Sequence, residues 1–384
     1  MATPQFKQMR RAYGFDEVAI VPGAVTVNPE MTDVTFRLGE LEFPIPIMAA
    51  AMDAVVDPRL AVTFAKMGGL AVLNLEGLQT RHDYPEPILE EIASAPREKV
   101  TALLQKVYSE PIRPELIGQR IREVKSTGTV CAASLTPANT KRLAPLAVEG
   151  GVDVLVVQST VTTTRHISYS ERGLVFPELV EKVAPVPVVV GNVVSYGPCK
   201  QLMETGVAAV LVGAGPGAAC TSREVLGIGV PQVSATIECA AARDQYYREG
   251  GRYVPIITDG GIRSGGDVCK SIAAGADAVM LGSILAGCEE APGRGHHWGM
   301  STFHTQLPRG IRVTVGVNTN LRRTLFGPTS RTDGTENLVG ALHTAMGMCG
   351  ARTIREFQQA ELVIAPAIKT EGKQIQIAEN NYFH

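Results

Sequence analysis

A single cysteine lies in the stretch "GAGPGAACTSREVLGIGVPQ", residues 213–232, just after three closely spaced glycines. Cys220 is followed by Thr221, Ser222 and Arg223, which predict the start of a helix. Main-chain N–H groups at a helix start and a nearby guanidinium both favour the thiolate, which is the nucleophilic form of cysteine. The stretch therefore indicates covalent catalysis by a thiol; the alternative is a buried, inert cysteine.

Two further glycine-rich stretches predict a phosphate site. They are "TDGGIRSGGD", residues 258–267, and "LGSILAG", residues 281–287. Glycines let main-chain N–H groups approach an anion, although tight turning alone is the alternative reason for them. Asp259 could accept hydrogen bonds from sugar hydroxyls, and Ser283 could donate to a phosphate. A nucleotide monophosphate or a sugar phosphate is the expected ligand.

Eight short apolar runs must position these residues, and helical segments alternate with them. The runs begin at Pro44, Gly69, Thr129, Val152, Val186, Val207, Val254 and Ala276. Their Val, Ile, Leu and Ala content is typical of parallel strands buried on both faces. Eight such units predict an α/β fold, a (β/α)8 TIM barrel, with Cys220 after the sixth strand and the phosphate loops after the seventh and eighth. A doubly wound open sheet is the alternative.

The alternation requires no domain boundary, so residues 1–384 are predicted to form one catalytic domain. Residues 77–127 are charged and helical in pattern and lie between the second and third predicted strands. Residues 292–330 are rich in Gly, His and Arg without clear periodicity, and we predict that they form a mobile catalytic flap.

Composition narrows the class of protein. The chain has 384 residues, 45% of them hydrophobic, and a formal net charge of −2, so neither nucleic acid nor an anionic membrane is an expected partner. The N-terminus lacks the apolar run of a signal peptide and no stretch is long enough to span a bilayer, which predicts a cytoplasmic location. The seven cysteines are scattered singly, which disfavours a disulfide or zinc framework.

Several motifs carry a resemblance to a known family. They are "AAAMDAV" at Ala49, "GNVVS" at Gly191, "GPGAACTSR" at Gly215, "GVPQVSA" at Gly229, "DGGIRSGGD" at Asp259, "AVMLGSILAGCEEAPG" at Ala278 and "GMCGARTI" at Gly347. Over nearly its whole length the chain resembles the inosine-5′-monophosphate (IMP) dehydrogenase and guanosine monophosphate (GMP) reductase family. The resemblance implies a homo-oligomer, a tetramer or octamer.

The resemblance implies roles for individual residues. Cys220 would attack C2 of the purine, and Asp259 would bind the ribose. The other implied substrate-binding residues are Gly261, Gly282 and Ser283 at the phosphate, Gly299 and Met300 at the base, and Asn192 near the catalytic cysteine. Carbonyl groups around Gly213, Gly215 and Cys220 resemble those that bind a monovalent cation, which is expected to be potassium.

This sequence departs from the family pattern at several positions. Residues 77–127 are too short for the nucleotide-sensing repeats of many dehydrogenases. The usual threonine two places after the nucleophile is Ser222, and the family serine in the phosphate loop is Ala218. The aspartate that meets the nicotinamide ribose in relatives is replaced by Gln158 beside Ser159, so these two are the expected NAD-binding residues with altered contacts.

The predicted flap departs most from the family pattern. The Arg-Tyr pair that activates water in dehydrogenases has no counterpart, because no tyrosine occurs between Tyr253 and Tyr382. The Thr-Glu pair that activates ammonia in reductases corresponds to Ser222 and Arg309, which disfavours the reductase reaction. Water activation is assigned to Arg309 or His304, with Arg312 a third candidate and an ordinary solvated loop as the alternative.

The sequence thus predicts an NAD-dependent IMP dehydrogenase that forms xanthosine 5′-monophosphate through a covalent cysteine adduct, in guanine nucleotide biosynthesis. Two alternatives stay open: an NADPH-dependent GMP reductase, and a nucleotide-binding regulator with little activity. A thiol at position 220 favours an enzyme, since a regulator could replace it by alanine.

Overall fold

Eight parallel strands close into a barrel in the computed structural model, which describes residues 7–167, 173–299 and 311–366. The strands are β1 Ile47–Ala49, β2 Leu70–Asn74, β3 Ala132–Leu135, β4 Val154–Gln158, β5 Val188–Val193, β6 Ala209–Val212, β7 Ile256–Asp259 and β8 Ala278–Leu281. Neighbours in sequence are neighbours in the barrel, and β8 pairs with β1 to close it. The predicted (β/α)8 barrel is confirmed, and the open-sheet alternative is wrong.

The strands are apolar throughout because both of their faces are buried. In β4, Val154 and Val156 belong to the cluster inside the barrel, whereas Leu155 and Val157 belong to the layer between strands and helices. This alternation is the two-residue period of a strand. Apolar side chains of an antiparallel hairpin, Phe36–Leu38 with Leu41–Phe43, also join the inner cluster.

The helices surround the barrel or cover its ends. Within the described residues they are α1 Pro58–Lys66, α2 Glu86–Ser94, α3 Arg97–Ser109, α4 Pro114–Lys125, α5 Pro137–Glu149, α6 Phe176–Val183, α7 Tyr196–Glu204, α8 Ser222–Leu226, α9 Gln232–Arg248, α10 Gly265–Ala273, α11 Ser283–Ala286, α12 Leu321–Phe326, α13 Leu338–Met348 and α14 Ile354–Phe357. At the start of α1, the Asp57 carboxylate accepts from the Leu60 N–H at 2.7 Å, and Pro58 takes the first helical position. None of these helices is long and apolar enough to cross a bilayer.

The segment 77–127 contains three helices, α2, α3 and α4, as its pattern predicted. The Arg120 side chain, which is nearly fully buried, fixes α4 to the start of the segment. Its guanidinium donates to the main-chain carbonyls of Gln79, His82 and Asp83, at 2.8 to 3.1 Å. These bonds satisfy carbonyl groups that helix pairing leaves free.

The described part of the segment 292–330 contains a short antiparallel pair, His296–His297 with Val313–Thr314, and the helix α12. Helix α12 was not predicted from the sequence. The Asn320 side chain caps it by accepting from the Arg323 N–H, and Leu321 and Leu325 are buried. The signal was present as a capping asparagine before a short apolar pattern, but six residues are too few for periodicity to indicate a helix.

Candidate active site

A cavity of about 1060 Å³ opens at the carboxyl ends of the barrel strands. It lies at the upper end of the range for small-molecule sites, roughly 300–1,000 Å³, so it offers room for more than one ligand group. Of the predicted site residues that the structure describes, Arg312 does not line the cavity, and the cavity brings together the others: Cys220, Ser222, Asp259, Gly261, Gly282, Ser283, Gly299, Asn192, Gln158, Ser159, Gly213 and Gly215. The other three, Met300, His304 and Arg309, lie outside the described residues.

Cys220 lies in the loop between β6 and α8, and its side chain is partly exposed to the cavity. Its thiol donates to the Ser222 hydroxyl, with 3.3 Å between Sγ and Oγ. Its main-chain N–H donates to the Gly217 carbonyl at 3.0 Å, which turns the chain just before α8. The predicted helix start after Cys220 is confirmed. A thiol that reaches solvent beside a hydroxyl can both meet a ligand and exchange its proton.

The other cysteines have different surroundings. Cys131, Cys269 and Cys288 are buried, and burial raises the pKa of each thiol to about 12. Cys199 and Cys239 are buried as well, whereas Cys349 is half-buried outside the cavity. The thiols of Cys131, Cys269 and Cys288 therefore stay protonated at neutral pH and are poor nucleophiles.

The loop that carries Cys220 is shaped by its glycines and by Arg223. Gly215 has a φ of +74°, and a Cβ there would lie 2.6 Å from Arg223 Cγ, so a larger residue would not fit. The Arg223 guanidinium donates to the carbonyl of Val230 at 2.8 Å and to that of Ala214 at 3.4 Å. Arg223 was expected to favour the thiolate; these two hydrogen bonds instead join the two sides of the loop.

A carboxylate and two amides form the floor of the cavity at the ends of β4, β5 and β7. Asp259 Oδ2 accepts from Gln158 Nε2 at 2.7 Å and from Asn192 Nδ2 at 2.8 Å. Gln158 Nε2 also lies 3.1 Å from Asn192 Oδ1. Burial raises the pKa of Asp259 to about 6, and the hydrogen bonds from Asn192 and Gln158 oppose this rise. The carboxylate is therefore mostly ionised at neutral pH and ready to accept from hydroxyl groups.

Gln232, at the start of α9, belongs to the cavity wall and was not among the predicted site residues. Its Nε2 donates to the main-chain carbonyls of Val212 at 2.5 Å and of Asp259 at 3.2 Å, so it joins the ends of β6 and β7. The residue was present in the quoted motif "GVPQVSA", but spacing alone does not reveal which strands an amide will join.

The loops after β7 and β8 lie on the other side of the cavity. Gly261 has a φ of +77°, and a Cβ on Gly282 would lie 2.9 Å from Met52 Sδ, so neither position accommodates a side chain well. Ser283 Oγ lies 2.9 Å from His297 Nε2. Burial lowers the pKa of His297 to about 4, with a smaller effect from His296, so the imidazole is neutral. His297 was missed because no spacing rule joins it to a serine fourteen residues earlier.

Ser159 also lines the cavity, next to Gln158 at the end of β4. Its hydroxyl donates to the Val161 carbonyl at 2.8 Å and lies 2.9 Å from the Thr162 hydroxyl. Within the described residues, the Gln158 Oε1 atom is buried without a hydrogen-bond partner. Burying a carbonyl oxygen without a hydrogen-bond partner is unfavourable in free energy. A hydroxyl or N–H group of a bound ligand would remove this penalty by donating to it.

Residues 12–373 match the sequence model of the IMP dehydrogenase / GMP reductase domain. An uncharacterized oxidoreductase of Mycolicibacterium smegmatis is 38% identical over 364 residues, 92% of this chain and 97% of that protein. The inosine-5′-monophosphate dehydrogenase of Methanocaldococcus jannaschii is 26% identical, and the alignment covers 95% of each chain. That alignment spans 491 positions, more than the 384 residues here, so the archaeal enzyme contains residues without a counterpart in this chain.

The solved structures include a similar protein. The crystal structure of an IMP dehydrogenase/GMP reductase-like protein from Corynebacterium glutamicum has a TM-score of 0.88 and 33% sequence identity, covering 95% of this chain and 97% of that one. The family match, the barrel and this structural similarity lead to the same conclusion. The chain belongs to the IMP dehydrogenase and GMP reductase family of oxidoreductases.

Proposed function

We propose that the protein oxidises IMP to xanthosine 5′-monophosphate with NAD as the hydride acceptor. The observation that carries this proposal is that the Cys220 thiol and the Asp259 carboxylate line one cavity, together with the glycine loops after β7 and β8. A nucleotide that places its ribose at Asp259 and its phosphate at these loops could present its base to Cys220. Relatives from Methanocaldococcus jannaschii and Aquifex aeolicus, 26% and 29% identical, are named inosine-5′-monophosphate dehydrogenases.

Nucleotide binding would use three parts of the wall. The ionised Asp259 accepts from ribose hydroxyls, while Asn192 and Gln158 hold its carboxylate in place. Main-chain N–H groups near Gly261 and Gly282 and the Ser283 hydroxyl donate to the phosphate. Gly299, and Met300 outside the described residues, would lie against the base.

Cys220 supplies the chemistry. Its thiolate adds to C2 of the purine and forms a C–S bond, while N3 takes up a proton. The C2 hydrogen then leaves as hydride, N3 loses its proton, and a thioimidate remains on Cys220. Water adds to C2 and gives one proton to N3 and the other to the group that activates the water; the C–S bond breaks, and its electron pair returns to sulfur as xanthosine monophosphate leaves. Ser222, with its Oγ 3.3 Å from Sγ, can accept a hydrogen bond from the thiol and donate one to the thiolate.

When bound, NAD would supply the acceptor for the C2 hydride. The residues present fit its nicotinamide ribose, because the buried Gln158 Oε1 atom has no partner among the described residues and is a ready acceptor for a hydroxyl. Ser159 lies beside it in the wall. These two residues would hold the cofactor near the purine.

A monovalent cation, expected to be potassium, would bind carbonyl oxygens of Gly213, Gly215 and Cys220. The loop fits this role in one respect: Gly213 and Gly215 have φ values of +153° and +74°, which turn the backbone in ways that favour glycine. Bound there, the cation would fix the loop that carries the nucleophile.

We also propose a homo-oligomer, a tetramer or an octamer. Val225, Leu226 and Ile228 follow Cys220 closely, and 37%, 39% and 50% of their surfaces are exposed. Apolar side chains grouped in this way are typical of protein interfaces. Light scattering of the purified protein measures the number of subunits.

One assay tests the proposed function and its direction. We expect the protein to form NADH when it is mixed with IMP and NAD, and to consume little NADPH when it is mixed with GMP. The absorbance of the reduced cofactor measures both. If only the mixture of GMP and NADPH reacts, the protein is a reductase. If nucleotides bind but neither mixture reacts, it is a regulator.

The group that activates water can be found from the reaction's two stages. We expect that replacing the true group, Arg309 or His304, leaves the first burst of NADH intact and slows only steady turnover, because hydride transfer precedes hydrolysis. His304 is the easier base, whereas the guanidinium of Arg309, which keeps its proton, would act by orienting water. Rapid-mixing absorbance of Arg309→Ala and His304→Ala measures both stages.

Arg312 offers the matched control for that experiment. Its guanidinium donates to the carbonyls of Ile92 and Ala93 at the end of α2, at 2.5 and 3.1 Å, so it is bonded to main chain rather than free to act on water. Arg312→Ala should therefore lower the unfolding temperature and leave the ratio of the burst to the steady rate nearly unchanged. Full turnover in both Arg309→Ala and His304→Ala would place water activation on another residue.

A further inference from the structure

Three buried side chains form a hydrogen-bonded chain between the helical segment and the cavity. Trp298 Nε1 donates to the Tyr108 hydroxyl at 2.6 Å, and that hydroxyl donates to the Asp53 carboxylate. Trp298 and Asp53 are each 1% exposed, and Tyr108 is 8% exposed. The three residues come from the flap, from α3 and from the loop after β1, so the chain joins parts of the protein that are distant in sequence.

Both ends of this chain adjoin residues of the cavity wall. Trp298 directly precedes Gly299, and Asp53 directly follows Met52; Gly299 and Met52 both line the cavity. Met52 Sδ also lies where it would meet a Cβ on Gly282, at 2.9 Å, so Met52 packs against the predicted phosphate loop. A shift of Trp298 or Asp53 would therefore move the wall of the cavity.

The middle of the chain is held by α2 and α3. Tyr108 and Trp298 share one apolar cluster with residues of these helices: Leu89, Ile92, Val100, Leu104 and Val107. Arg294, before Trp298, pairs with Glu90 of α2 at 2.7 Å. Together with the Arg312 bonds to the end of α2, these contacts attach two described parts of the flap, at 294–298 and at 312, to the helical segment.

Such a chain is costly to bury. Burial raises the pKa of Asp53 to about 6, although the Tyr108 hydroxyl, Arg81 and Asn74 oppose this rise. Apolar side chains of similar volume at such positions often give equal or greater stability. These three polar side chains are therefore better explained by the fixed relative position that their hydrogen bonds impose on them than by a contribution to the free energy of folding.

We propose that Tyr108 is a positioning residue whose hydroxyl fixes Trp298 and Asp53 relative to each other and so holds Gly299 and Met52 against the base of the bound nucleotide. This inference rests on the proposed function, because it requires a nucleotide in the cavity. It assigns to the helical segment 77–127 a role in shaping the base subsite.

The variant Tyr108→Phe tests the inference, since it keeps the ring in its apolar cluster and removes only the hydroxyl. Trp298 is the only tryptophan in the chain, so its fluorescence reports directly on one end of the hydrogen-bonded chain. We expect a shifted tryptophan emission without ligand. We expect IMP to bind about tenfold more weakly, because binding must then also order the wall. Ribose 5-phosphate lacks the base and should lose less affinity than IMP, about twofold at most, because only the contact of Met52 with the loop at Gly282 joins the changed wall to the phosphate.

Tyr253→Phe is the matched control. Tyr253 also donates its hydroxyl to a buried carboxylate, that of Asp277, but it precedes β7 at the opposite end of the barrel. This variant should change neither the tryptophan emission nor the preference for IMP over ribose 5-phosphate. Wild-type affinity for IMP in Tyr108→Phe, or an equal loss for both ligands, would overturn the inference alone. Failure of the wild-type protein to bind IMP would overturn the proposed function and the inference with it.

Discussion

Replacing Cys220 by alanine is expected to abolish NADH formation from IMP while nucleotide binding survives. The thiol is the group that would form the bond to purine C2, and alanine offers no nucleophile, so we expect a loss of at least about a thousandfold in turnover. Asp259 and the loops after β7 and β8 would still hold the ribose and the phosphate, because they come from other strands. Absorbance measures turnover, and calorimetry measures the dissociation constant for IMP.

Cys349→Ala is the matched control, because Cys349 is the other partly exposed cysteine in the described residues. Its thiol donates to the Val21 carbonyl at 3.6 Å, and it does not line the cavity. This variant should keep full activity. An active Cys220→Ala protein would contradict covalent catalysis by this thiol.

Replacing Asp259 by asparagine is expected to weaken IMP binding and to raise the unfolding temperature at neutral pH. Hydrogen bonds to a charged group are worth about 1.5–3 kcal/mol, so the dissociation constant should rise roughly tenfold to a hundredfold. The buried negative charge opposes folding, and asparagine removes it while its carbonyl can still accept from Gln158 and Asn192. Calorimetry and thermal unfolding measure the two effects.

The pH dependence follows from the direction of the pKa shift. Because folding raises the pKa of Asp259 from 3.8 to about 6, the folded protein holds this proton more tightly than the unfolded chain does between these two values. The contribution of Asp259 to stability therefore falls as the pH rises through that window and stays low above it. The stability advantage of Asp259→Asn should be largest at neutral pH and should shrink as the pH falls below about 6.

Nucleotide affinity should change in the opposite sense. Protonation of Asp259 below about pH 6 removes the ionised acceptor, so wild-type affinity for IMP should fall there relative to Asp259→Asn. The phosphate of the ligand titrates equally for both proteins, so the difference between them isolates Asp259. Parallel pH profiles would contradict the assignment of Asp259 to the ribose.

Asp277→Asn provides the contrast in stability. Asp277 is also buried, but its carboxylate pairs with Arg243 Nη1 at 2.8 Å, and it lies just before β8, away from the cavity. Removing Asp277 as a charge leaves the buried Arg243 with only Asp244, at 2.9 Å, as an ion-pair partner, so this variant should unfold at a lower temperature. A higher unfolding temperature in Asp259→Asn and a lower one in Asp277→Asn would distinguish a carboxylate that serves binding from one that serves structure.

The sequence by itself determined the barrel and the order of its loops. Eight apolar runs of strand length, separated by helical segments, leave few topologies, because parallel strands need helical crossovers and a closed ring buries both faces of each strand. The positions of Cys220, Asp259 and Ser283 after the sixth, seventh and eighth strands follow from this count. Parallel strands bring their carboxyl ends to one side, so residues distant in sequence could be predicted to share one cavity.

Only the tertiary structure decided which side chains meet within that cavity. Asp259 bonds to Gln158 and Asn192, 101 and 67 residues away, and Tyr108 joins Asp53 to Trp298 across 55 and 190 residues. Periodicity in the sequence indicates the face on which a residue lies. Hydrogen bonds depend also on side-chain rotamers and on shifts of a few tenths of an ångström in the spacing of the elements. These are fixed only when the whole core has packed, which is why the site's location was predictable from local sequence and its hydrogen-bonded connections were not.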